Sequence, residues 1–195
     1  MRELENEIAT DVLWSEKPIP KVDFDTNVHP VDHHQRGNMS PFQQYLELVH
    51  LGLKHSRGQV FVVAPPMIDK MNLASLSYHG AGHQASNGDA SAFDEMVAIE
   101  SYIFETVSGF LSSLKESALF DDTIVLMMGS FCDPGRHSRQ FIPAIVAGGG
   151  FNHQGIVECK DRYRLSQLYV SILHQMGIDV DEFSTFKGDL DEVLA

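Results

Sequence analysis

Residues 122–150 read DTIVLMMGSFCDPGRHSRQFIPAIVAGGG, two apolar runs on either side of a polar loop. The first run, Thr123 to Met128, has the length and β-branched content of a buried strand, and Ile142 to Ala147 has the same character. Asp133, Arg136, His137 and Arg139 lie in the loop between them. Ionisable side chains at the carboxyl end of a buried strand are where open α/β sheets place their ligands. The loop is therefore the first candidate for function. Gly148, Gly149 and Gly150 predict tight turning or close backbone approach beside it.

The elements around this segment predict alternation. Ser40 and Pro41 make a good helix start, as N-cap and first helical residue, and Phe42, Tyr45, Leu46, Val49, His50 and Leu53 follow at helical spacing. Gln59 to Ala64 (QVFVVA) predicts a further buried strand, stopped by Pro65 and Pro66. Residues 67–90 predict a long irregular loop, and Ser91 to Leu119 a long amphipathic helix interrupted by Gly109. Leu165 to Met176 predicts another helix, with Leu168, Tyr169, Ile172 and Leu173 facing inward and Gly177 closing it. The acidic tail from Ile178 to Ala195 is expected to wrap the surface.

Strands alternating with helices imply an α/β fold, a mostly parallel sheet flanked by helices. Only three strands are convincing, fewer than an independent sheet of this class usually has. The expected organisation is thus an N-terminal helix and extended Pro-rich arm over residues 1–39, followed by a single α/β domain over 40–195 that forms part of a larger fold. An unfinished sheet edge of that kind favours completion by association, as a homo-oligomer, or by further strands of a larger sheet.

Charge narrows the function classes. Fourteen Lys and Arg against 27 Asp and Glu give a formal charge of −13. Such acidity argues against nucleic acid, whose phosphates need cationic neutralisation, and against anionic lipid. No apolar run reaches the length of a membrane span, which predicts no membrane insertion, and the charged opening MRELENEI is not a secretory signal, so the chain as written reads as cytoplasmic. Cys132 and Cys159 form no zinc-type pair and read as two unrelated thiols, with a single disulfide across the Gly-rich segment they flank as the alternative.

Two places carry residue types suited to a divalent, zinc-like cation. His79 and His83 are four apart, the spacing that places both imidazoles on one helix face in many zinc sites. Gly80 and Gly82 between them argue against a helix, so the geometry would come from a loop, and a flexible loop with solvated histidines is the plainer reading. Asp133 and His137 offer a carboxylate and an imidazole after a strand, suited to a cation or to acid–base work. Asp133-Pro134-Gly135 is equally a good turn sequence. Arg136 suits an anion or a neighbouring carboxylate. His29, Asp32, His33 and His34 read as a solvated linker, and His50, His55, His153 and His174 as isolated surface or helix-end residues.

Taken in order, the RELENEI opening, the PF…YLELV helix, QVFVVA, Ser77-x-His79, TIVLMMGS with Asp133 and His137-Ser138, Pro143, the AGGG turn and LSQLYVSIL resemble the C-terminal half of a bacterial family named for an HxxSHH motif. That family is linked to the sulfatase and alkaline-phosphatase-like superfamily. The resemblance implies the C-terminal part of an alkaline-phosphatase-like fold, whose further strands would belong to a missing N-terminal half, and exported relatives. Ser77 and His79 match the motif, whereas Ala74 and Tyr78 replace two of its histidines, and Arg139 stands where a further histidine is expected. His83 is the candidate compensating imidazole. The implied site has His79, His83, Asp133 and His137 as metal ligands, Arg136 and Arg139 as anion-binding groups, and Ser77 with Tyr78 as a motif remnant. With imidazoles missing and no nucleophile-bearing half, the implied function is a non-catalytic sulfatase-like domain. The alternatives are a metal-dependent hydrolase of phosphate or sulfate esters and a simple metal-binding protein.

Overall fold

The computed structural model describes residues 41–55, 60–65, 77–152, 155–158 and 163–194. The predicted N-terminal helix and arm, Ser40 as N-cap, the His29–His34 cluster, Ala74, His153 and Cys159 lie outside them. The elements are α1 (Pro41–Lys54), α2 (Tyr78–Ser86), α3 (Ala90–Glu116), β1 (Ile124–Met128), β2 (Ala144–Gly148), α4 (Leu165–Gln175), β3 (Glu182–Phe183), β4 (Phe186–Lys187) and α5 (Asp191–Leu194). The chain divides into two compact units: Met1–Tyr78 with Asp94–Leu114, and His79–Phe93 with Lys115–Ala195.

The first unit holds α1 and most of α3. Ile99, Ile103, Phe110 and Leu114 are buried, a stripe at helical spacing that Thr106 interrupts. Thr106 is tolerated there because its hydroxyl donates to the Tyr102 carbonyl at 2.8 Å. Phe93, Val97 and Phe104, apolar residues of the same helix, are exposed. The expected strand at Gln59–Ala64 is not formed: residues 60–65 have no strand structure, and Val62 is 95% exposed. The segment instead lies against a helix. A Cβ on Gly52 of α1 would come within 2.8 Å of the Phe61 ring, so Gly52 makes room for that ring.

The second unit corrects the expected sheet. β1 and β2 form a two-stranded antiparallel sheet, with Ile124 opposite Gly148 and Met128 opposite Ala144. β3 and β4 form a second antiparallel pair. A mostly parallel sheet flanked by helices, and with it the alkaline-phosphatase-like architecture, is therefore not what this chain builds. Parallel neighbours need a crossover connection, usually a helix. Residues 129–143, which join β1 to β2, contain none, so the chain turns back beside the strand it has just left. Both strands are half-buried rather than core.

The glycine run ends this hairpin as its composition predicts. Gly148, Gly149 and Gly150 all have positive φ, and a Cβ on Gly148 would stand 2.3 Å from the Thr123 carbonyl oxygen. The Gln175 side chain donates to the Gly149 carbonyl at 2.6 Å and ties the end of α4 to this turn. α4 itself closes as a Schellman motif. Gly177, φ 78°, donates to the His174 carbonyl at 2.8 Å, and Ile178 donates to the Leu173 carbonyl at 2.9 Å. Its deepest residues are Leu168, Val170 and Ser171. Tyr169 instead meets the Phe183 ring at 5.0 Å, and its hydroxyl reaches the Met128 sulfur at 3.3 Å.

The candidate metal centre

The segment expected to be a loop around His79 is α2, a nine-residue helix. Two glycines inside it cost about 1 kcal/mol each in helix propensity. Packing outweighs that cost. Ala81, fully buried, and Gly82 form the buried part of the helix. Two residues advance a helix by about 200°, so Ala81 faces away from His79, while His83 follows His79 on the same side. The two imidazoles accordingly meet, with Nε2 atoms 3.1 Å apart. Gly88, with φ 91°, lies just beyond α2, and Asp89 starts α3 by accepting from the backbone N–H groups of Ser91 and Ala92 at 2.9 and 3.2 Å.

The third imidazole arrives on the β1–β2 connection. Asp133 Oδ1 accepts from the backbone N–H groups of Gly135 at 2.9 Å and Arg136 at 3.2 Å, closing the turn that its sequence announced. Cys132 N–H to the Ser138 carbonyl, 2.9 Å, and Ser138 N–H to the Asp133 carbonyl, 3.0 Å, complete a narrow loop. His137 lies at its tip with φ 49°, a left-handed conformation that few side chains adopt. Gly135 docks this loop on α2: its N–H donates to the Ser86 hydroxyl at 3.0 Å. A Cβ on Gly135 would stand 2.3 Å from Ser86 Cβ, so only glycine permits the approach. His137 is thereby brought to ring-centroid distances of 6.0 Å from His79 and 5.0 Å from His83.

These three residues form a group whose ligand atoms all lie within 4.8 Å of one another, a set that could hold a metal ion. Around a tetrahedral zinc with Zn–N bonds near 2.0–2.1 Å, ligating nitrogens stand about 3.3 Å apart. The His79–His83 separation of 3.1 Å is close to that before any ion enters. His79 and His137 are exposed and His83 is half-buried, so solvent reaches the group.

The other expected site residues fall differently. Asp133 stands outside the three-imidazole group. Its carboxyl is held below the usual aspartate value, first by the Arg136 backbone N–H and then by the Ser86 hydroxyl, the Gly135 N–H and the Arg136 charge. Arg136 is 87% exposed and pairs with Asp133 at 3.8 Å. Arg139 lies over the Phe131 ring at 5.9 Å, and that ring packs on His137 at 5.1 Å. Ser77 is exposed. The Tyr78 phenol donates to the Glu100 carboxylate, and burial, then that bond, hold it well above the ordinary tyrosine range. Ser86 and Gly135 were not legible as site residues. Gly135 reads in sequence only as part of a turn, and its partner is 49 residues away.

No family model, curated protein or solved structure matches the chain. Among the described residues no helix is long and apolar enough to cross a membrane.

Proposed function

We propose that this protein binds one zinc-type divalent cation through His79, His83 and His137. The observation that carries the reading is the convergence of three imidazoles from two separate elements, with ligand atoms within 4.8 Å. Neutral imidazole nitrogen is a good ligand for zinc and its first-row neighbours. The formal charge of −13 adds a general attraction for cations. Asp133, by this reading, is a positioning residue: it shapes the turn that presents His137.

Three protein ligands leave a fourth tetrahedral position for water, as catalytic zinc sites do. That open position and the exposure of His79 and His137 favour, as a second reading, hydrolysis of phosphate or sulfate esters. A bound zinc there would lower the pKa of its water towards about 7 and supply a nucleophile. Arg136 and Arg139 are the candidate anion-binding groups.

Metal analysis of untagged protein, followed by assays with aryl phosphate and aryl sulfate, separates these readings. Loss of one equivalent of zinc on His83→Ala, relative to the wild-type chain, supports binding at this centre. Turnover that disappears with His137→Ala adds hydrolysis. Protein that takes up no zinc ends both.

A further inference from the structure

His174, which reads in sequence as an isolated helix-end residue, belongs to a second group of ligand-type side chains. A ring nitrogen of His174 and one carboxylate oxygen each from Asp189 and Asp191 lie within 4.8 Å of one another. His174 comes from the last turn of α4; Asp189 and Asp191 lead into α5. The fold joins them, with Asp191 17 positions on in the chain.

The details around the group orient all three residues. His174 Nε2 is 2.7 Å from the Val180 carbonyl. A carbonyl only accepts, so Nε2 carries the hydrogen, and Nδ1 is the nitrogen turned to the carboxylates, 2.8 Å from Asp191 Oδ2. A backbone carbonyl behind the ring is how proteins commonly fix the tautomer of a ligating histidine. Ser171, only 2% exposed, does the same for Asp191. Its oxygen accepts from the Leu190 N–H at 2.7 Å, and its hydroxyl hydrogen is left for the Asp191 carboxylate. Asp189 Oδ1 accepts from the Asp191 N–H at 3.0 Å. Charge points the same way. Two carboxylates face one imidazole that can carry at most a single positive charge, so a proton leaves the group one charge short of neutrality, whereas a divalent cation beside a neutral ring balances it.

We propose that His174, Asp189 and Asp191 form a second divalent-cation site, separate from the three-imidazole centre, that clips the C-terminal segment to α4. One imidazole nitrogen with two carboxylate oxygens suits Mn²⁺ or Zn²⁺ rather than a soft, thiolate-seeking ion. Ligands from both α4 and the segment after the β3–β4 hairpin make binding a tether across that segment.

Mn²⁺ titration of the untagged full chain, followed by the electron paramagnetic resonance signal of the free ion, tests this. Protein carrying His79→Ala, His83→Ala and His137→Ala should still take up one Mn²⁺. Asp189→Asn, which keeps the shape and the acceptor for Asp191 N–H, should weaken that uptake at least about tenfold. Should the triple variant not fold, the wild-type chain serves: two ions per chain before Asp189→Asn and one after. Mn²⁺ should also slow amide hydrogen exchange over residues 178–194, an effect absent in Asp189→Asn. No uptake by the folded triple variant, or uptake indifferent to both Asp189→Asn and Asp191→Asn, overturns the proposal and leaves a His174–Asp191 ion pair.

Discussion

At the scale of single residues, the aspartate and the histidine of the β1–β2 loop make opposite demands. Asp133 serves by accepting backbone hydrogen bonds, which an asparagine oxygen also does. Asp133→Asn should therefore keep most of the zinc affinity, while Asp133→Ala should lose it as the turn opens. If Asp133 were a ligand, both changes would be equally damaging; isothermal titration of the two variants decides. His137→Ala should cost more than the roughly 10–100-fold typical of losing a partner behind a ligand. The lowered pKa of Asp133 also fixes a sign. Its contribution to the folded turn is fully present above the unfolded aspartate value of about 3.9 and is lost as pH falls through the lower folded value. In a carboxyl-detected NMR titration Asp133 should accordingly ionise below ordinary aspartates; a midpoint at or above the ordinary value would contradict the turn geometry.

At the scale of elements, Gly135 and Gly109 should behave oppositely. A Cβ added in Gly135→Ala meets Ser86 Cβ at 2.3 Å, so the loop must withdraw from α2. Zinc affinity should fall about tenfold or more, although no ligand has been touched. Gly109 is in the middle of α3, and a Cβ there would have nothing within 4 Å. Gly109→Ala should stabilise the protein by about 0.5–1 kcal/mol in thermal or urea unfolding without changing metal binding. The same elements show what the sequence could and could not reveal. α1, α3, α4 and the glycine turn were legible because periodicity, caps and positive-φ glycines are local signals. α2 was not, since two glycines oppose a helix locally and burial of Ala81 and Gly82 overrides them. Nor was the fate of QVFVVA: its apolar run reads as a strand, but Phe61 finds its place against Gly52 instead of in a sheet. Sheet direction does not follow from the alternation of helices and strands, because the helix-free connection from β1 to β2 decides it.

At the scale of the whole molecule, metal and fold are linked. A cation that binds the folded state alone stabilises it by about 2.7 kcal/mol at a hundredfold excess over Kd. Zinc should raise the melting temperature of the wild-type chain, and the shift should shrink when His79, His83 and His137 are all replaced by alanine. The histidine pair was visible in sequence as a four-residue spacing; its third member was visible only as one of several loop groups. Their meeting depends on Ser86 and Gly135, partners that no local pattern connects. The central claim is tested most directly by zinc-edge X-ray absorption on untagged protein carrying Asp189→Asn, loaded with one equivalent of zinc. The expected spectrum shows three imidazole nitrogens at about 2.0 Å together with one oxygen ligand. A spectrum with one imidazole or none, or zinc that does not stay bound, would contradict a three-histidine centre.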